Sequence, residues 1–138
     1  MYPEYLVAPM RADLTEAGFK EFRTPGEVDK HLQNHQGTSL LVINSVCGCA
    51  AGAARPGIKY ALSKTGKRPD HLVTVFAGVD IEATNKAREY TAPYPPSSPS
   101  IALFKDGELV HFIERHHIEG RTAQMIGEHL VEVIEEFC

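Results

Sequence analysis

Apolar positions along the chain follow two rhythms, unbroken runs and helical spacings. Leu40-Leu41-Val42-Ile43, inside residues 39–44, is apolar at every position and of strand length. Such a run suits a strand covered on both faces. Leu72, Val73, Val75 and Phe76 repeat the signal within residues 71–79. Two further strands are predicted over 101–104 and 108–114, joined through Lys105-Asp106-Gly107, a tight-turn sequence. A short extended stretch is expected over 19–23. Helical spacing marks the rest. Met10, Leu14 and Ala17 predict a helix over 9–17, with Pro9 in its first turn and Gly18 past its end. Thr24-Pro25-Gly26-Glu27 is a capping box with proline at the first helical position, and the helix it opens should end before Gly37. Ala50-Ala51-Gly52-Ala53-Ala54 opens another helix, in which Pro56 and Gly57 predict a kink. Asp80 is placed to cap a helix over 81–90, supported by a Glu82–Lys86 pair. Ile126, Leu130, Val133 or Ile134, and Phe137 define a last helix opened by residues 120–122.

The strand–helix–strand unit in the middle implies a parallel pair with a right-handed crossover, and the hairpin adds antiparallel strands. A mixed sheet with helices on both faces follows. Residues 91–100, with Pro93, Pro95, Pro96 and Pro99, form a loop before the third long strand. No repeat or linker divides the chain, so a single domain over 1–138 is expected.

Composition narrows the function classes. Hydrophobic residues make up 43% of the 138 residues and charged residues 23%, which is a globular balance rather than a disordered one. No apolar run approaches the roughly 18 residues that a membrane helix needs. A net charge of −4 without a basic cluster gives no footprint for nucleic acid. Met1-Tyr2-Pro3-Glu4 does not open a secretory signal, and a cytoplasmic location is expected.

Cysteine placement carries the chemistry. Of three cysteines, Cys47 and Cys49 bracket Gly48 at the junction of the first long strand and its helix, and Cys138 is terminal. An odd set of three is no disulfide framework. A thiol at a helix start meets unpaired backbone N–H groups and the positive end of the helix dipole, and both favour the thiolate. The thiolate is the nucleophile of disulfide exchange, and a second cysteine beside it can resolve the mixed disulfide. Gly48 and the small residues after it leave room for a partner sulfur. Two other readings stand beside this one. Each cysteine can be a small buried hydrophobe. Cys-x-Cys can also chelate a metal, with Cys138, His116 and His117 as further donors, although none lies at a motif spacing. His116 and His117 read more simply as exposed residues at a strand end, and His31 and His35 as solvated surface. Pro99, entering the strand over 101–104, occupies a position that suits a cis proline beside the cysteines.

The element order, with cysteines between the first central strand and its helix, resembles a thioredoxin-like domain. The block from Asn44 through Cys47-Gly48-Cys49 to Ala54-Arg55-Pro56-Gly57 resembles the signature of the bacilliredoxin family. Met1-Tyr2-Pro3-Glu4, Pro9-Met10-Arg11, Ala17-Gly18-Phe19, the segment from Phe22 to Pro25, Val73-Thr74-Val75-Phe76-Ala77-Gly78, Tyr94-Pro95-Pro96-Ser97-Ser98-Pro99-Ser100, the segment from Phe104 to Val110, and Cys138 extend the resemblance.

That resemblance implies a three-layer α/β thioredoxin-like fold and a thiol-disulfide oxidoreductase. It implies removal of bacillithiol from S-bacillithiolated client proteins, with Cys47 as nucleophile and Cys49 as resolving thiol. Gly48 and Pro99 would shape the site, and Cys138 is a candidate third redox thiol. No tightly bound cofactor and no resident metal are expected. Bacillithiol would be the thiol co-substrate, and a flavoprotein bacillithiol-disulfide reductase the electron source. A general disulfide isomerase and a thiolate metal-binding module are the alternative functions.

Overall fold

The buried runs form a single sheet. In a computed structural model, which describes residues 2–33 and 36–138, five strands lie in the order β1-β3-β2-β4-β5. Strands β1 (Lys20–Glu21) and β2 (Thr38–Asn44) each pair parallel to β3 (His71–Phe76). Strand β4 (Ser100–Lys105) runs antiparallel to β2, and β5 (Glu108–Ile113) antiparallel to β4. Asp106 and Gly107 both take positive φ, at 50° and 83°, as a two-residue hairpin turn that follows strand twist requires.

Among the described residues, helices α1 (Glu4–Thr15), α2 (Pro25–Leu32), α3 (Arg55–Lys64), α4 (Ile81–Tyr90), the single turn α5 (Arg115–Ile118) and α6 (Ala123–Phe137) flank the sheet. Every residue of β2 is buried, and successive side chains serve opposite faces. Leu40 and Val42 pack with Leu14, Ile58 and Leu130, whereas Leu41 and Ile43 pack with Val28, Leu32, Ala83 and Ala87. Helices α1, α3 and α6 therefore form one outer layer and α2 and α4 the other. No helix among the described residues is long and apolar enough to cross a membrane.

Several sequence expectations need correction. Helix α1 starts at Glu4, with Pro9 inside it rather than in its first turn. Pro9 lies on the exposed face, so the carbonyl it leaves without a donor opens toward solvent. Strand β3 ends at Phe76, three residues early, because Gly78 turns the chain with φ 81°. The Asp80 side chain does not cap α4. It accepts a hydrogen bond from the buried Arg11 guanidinium at 2.7 Å, and an ion pair outcompetes a neutral cap. Lys86 pairs with Glu89 and Asp29 instead of Glu82. The Thr24–Glu27 capping box forms as expected.

The irregularity expected at Pro56 and Gly57 falls one turn earlier, as a π-helical turn over Ala50–Ala54 that runs into α3. Proline at 56 lacks the N–H that would bond the Gly52 carbonyl, and its ring crowds that carbonyl. The preceding turn widens to relieve both. Gly57 has a different task. A Cβ there would lie 2.9 Å from the Ala123 carbonyl oxygen and 3.0 Å from Ile126, so its absence lets α3 and α6 pack closely.

Candidate active site

Strand β2 delivers the cysteines at its C-terminal end, where Asn44 hands the chain to Ser45. A buried cation holds this junction. Arg55, only 3% exposed, donates to Asn44 Oδ1 at 2.9 Å, the Ser45 carbonyl at 2.8 Å and Asp13 Oδ2 at 3.0 Å. Asn44 Oδ1 also accepts the Ser45 N–H at 2.8 Å, and Asn44 Nδ2 donates to the Met10 carbonyl at 3.1 Å. Ser45 Oγ then accepts the Cys47 N–H at 3.0 Å. A chain of hydrogen bonds thus runs from the core to the first cysteine backbone.

Cys47 and Cys49 are both half-buried, and their sulfurs lie 2.7 Å apart. The Cys49 N–H points at Cys47 Sγ at 3.4 Å. Burial by itself pushes the Cys47 thiol up. Hydrogen bonds from the Cys49 thiol, the Cys49 N–H and the Ala50 N–H, with the charge of Arg115, outweigh it and hold Cys47 below the ordinary thiol value. Cys49 moves the other way. Burial raises it first, and its bond to Cys47 and the negative charge there add to the rise. Gly48 between them is exposed, and a Cβ at that position would meet nothing within 4 Å. The room it leaves is open surface above the sulfurs.

Arg115 is the site residue that sequence reasoning missed. It opens α5, whose four residues are too few to show a helical period. Its charge acts on both thiols. Its Nη1 donates to the Ser98 carbonyl at 3.3 Å, and its backbone N–H to Ser97 Oγ at 3.3 Å. Arg115 thereby joins the proline loop to the cysteine pair. The Ser98–Pro99 peptide is cis and Pro99 is buried. Arg55 was also unremarked for chemistry, although it is the one cation in a run of small residues.

Other expected donors are not brought together. Cys138 follows α6 and accepts from the Thr38 side chain, and burial raises its thiol pKa. Thr38 begins the seven-residue β2, and Cys47 follows its end, so Cys138 lies about 20 Å from the pair at ~3.3 Å per residue. His116 and His117 sit in α5 beside Glu114, and that group of possible ligands includes no cysteine. His31 is not a solvated residue: its Nε2 lies 3.0 Å from Ser39 Oγ, against the Phe22 and His71 rings. His35, paired with it in the sequence reading, lies outside the described residues.

Two thiols with sulfurs 2.7 Å apart, between the end of a buried central strand and the start of a helix, mark a thioredoxin-fold thiol-disulfide oxidoreductase. Solved structures agree on the fold. A Schistosoma mansoni thioredoxin is similar with TM-score 0.60 and 19% identity, covering 88% of this chain and 97% of that one. Mitochondrial thioredoxin 3 of Saccharomyces cerevisiae gives TM-score 0.59 and 16% identity, over 90% and 98%. The family described as disulphide isomerase matches residues 2–138. The bacilliredoxin of Cytophaga hutchinsonii is 65% identical over 99% of both chains, and that of Salinibacter ruber 55% identical over 99% of this chain and 81% of its own. Bacilliredoxin BH1716 of Halalkalibacterium halodurans is 56% identical over 99% and 94%. The chain belongs to the bacilliredoxin family.

Proposed function

We propose that this oxidoreductase removes bacillithiol from S-bacillithiolated proteins in the cytoplasm. The observation that carries the reading is the thiol pair itself, two sulfurs 2.7 Å apart with the Cys49 N–H aimed at Cys47 Sγ, and the lowered Cys47 and raised Cys49 agree with it. The Cys47 thiolate attacks the bacillithiol sulfur of the mixed disulfide. A bond forms between Cys47 and bacillithiol, and the client leaves as a thiolate. The part of the rise at Cys49 that came from Cys47 is then gone, because a modified Cys47 neither accepts its hydrogen bond nor carries charge. Cys49 loses its proton more readily, with Arg115 beside it, and attacks Cys47. Bacillithiol leaves and a Cys47–Cys49 disulfide remains. Free bacillithiol reduces that disulfide and becomes bacillithiol disulfide, which a flavoprotein reductase recycles. Gly48 keeps the approach open, and Pro99 shapes the facing loop. No tightly bound cofactor takes part.

General disulfide isomerisation is the second reading, favoured by the family description matching this chain. One experiment separates the two. The Cys49→Ser variant is mixed with a bacillithiolated client and analysed by mass spectrometry. Bacillithiol on Cys47 with free client is the expected result. A client–Cys47 disulfide with free bacillithiol supports isomerase chemistry instead.

A further inference from the structure

Between β5 and α6 lies an open cavity of about 250 Å³ that gathers three histidines the thiol chemistry does not use. His111 comes from β5, His129 from α6 and His117 from α5, with Arg121, Phe112 and Ile126 completing the wall. The Nε2 atoms of His111 and His129 converge at 3.0 Å, with ring planes 50° apart. At that distance one ring donates its Nε2 proton to the other. Both Nε2 atoms therefore border one small volume.

We propose that His111 and His129 chelate a divalent late first-row metal ion, copper(II) or nickel(II) in the first place. With metal–nitrogen bonds of about 2.0–2.1 Å, a right-angle pair of ligands has nitrogens ~2.9 Å apart, and a tetrahedral pair ~3.3 Å. The observed 3.0 Å fits the right-angle bite of square-planar or octahedral centres, which nickel and copper favour. Zinc would need the rings to part by a few tenths of an ångström. Both rings bind as neutral imidazoles through Nε2, with the proton on Nδ1. The ring that donated from Nε2 gives that proton to solvent and takes one on Nδ1, so no net proton is released. Glu136, two turns after His129 on α6, is near enough to act on His111 electrostatically and can add a carboxylate.

His117 stays in the wall. Its Nδ1 accepts the Glu114 N–H at 3.2 Å, so the neutral ring keeps its proton on Nε2 and offers no lone pair there. The same bond occupies His117 in the exposed Glu114–His116–His117 group, which makes that group the control. Arg121 makes no side-chain hydrogen bond or ion pair among the described residues. It favours an anion in the metal's open position.

The test uses the full chain with Ser at 47, 49 and 138, so that thiolates cannot compete. Nickel(II) is titrated calorimetrically, and copper(II) is followed by electron paramagnetic resonance. One nickel per chain is expected. His111→Ala and His129→Ala should each weaken it at least about tenfold, since even partners of a ligand are worth that much. His116→Ala with His117→Ala should leave affinity within about twofold. The copper spectrum should show two coupled nitrogens. No saturable nickel binding, equal affinity in His129→Ala, greater loss in the His116/His117 variant, or fewer than two nitrogens would overturn the site. His129 is exposed on α6, so its variant keeps the fold and decides the matter if His111→Ala does not.

Discussion

At one end of β2 a half-buried Cys47 follows Asn44, and at the other a half-buried Cys138 lies against Thr38. Both thiols are partly buried, Cys138 more deeply, and they shift in opposite directions. Burial raises both. At Cys47 it is outweighed by a neighbouring thiol, two backbone N–H groups at a helix start and the Arg115 charge. At Cys138 the Thr38 hydroxyl and the more distant Lys105 and Lys67 offset it in part, and Asp70 adds to the rise. Donors aimed at the sulfur set the nucleophile apart from the packed thiol, and the deeper burial of Cys138 widens the contrast.

Cys47→Ser should reduce exchange on a bacillithiolated client to the uncatalysed background, while Cys138→Ser should keep it within about twofold of wild type. A rate assay on both variants checks this, and a comparable loss in Cys138→Ser would put the terminal thiol into the cycle. Next comes the buried anchor. Arg55→Ala leaves Asn44 Oδ1 and the Ser45 carbonyl short of donors, which should cost about 1–3 kcal/mol in urea unfolding. The same change should slow exchange, because the Cys47 N–H hangs from Ser45. A smaller effect sharpens the electrostatics. Arg115→Ala removes a positive charge from beside both thiols, so the Cys47 pKa should rise. Alkylation of Cys47 at pH 7 should slow. Because Arg115 is exposed, the shift should shrink at high salt. A salt-independent slowing would point to loop disorder through Ser98 instead.

The sheet was legible because its central strands are buried on both faces, so Leu40 to Ile43 and Leu72 to Phe76 read as runs. The cysteine pair was legible because its chemistry is local, two thiols at a strand–helix junction. What escaped the sequence depends on distant partners. Arg115 lies 66 positions or more from either cysteine and sits on a turn too short to be periodic. Asp80 carries the residue type of a cap, but Arg11 reaches it from another helix. The π turn at Ala50–Ala54 shows how a correct expectation of distortion at Pro56 can be displaced by one turn, since proline strains the residues before it.

Of the three thiols, Cys47 alone is shifted toward the thiolate. The direct measurement is alkylation by iodoacetamide across pH, with each cysteine's peptide quantified by mass spectrometry. Only the thiolate reacts, so each rate falls about tenfold per pH unit below its pKa. Cys47 should level off at the lowest pH of the three, with Cys49 and Cys138 levelling off at higher pH. A Cys49 or Cys138 profile that levels off at lower pH than that of Cys47 would contradict the account.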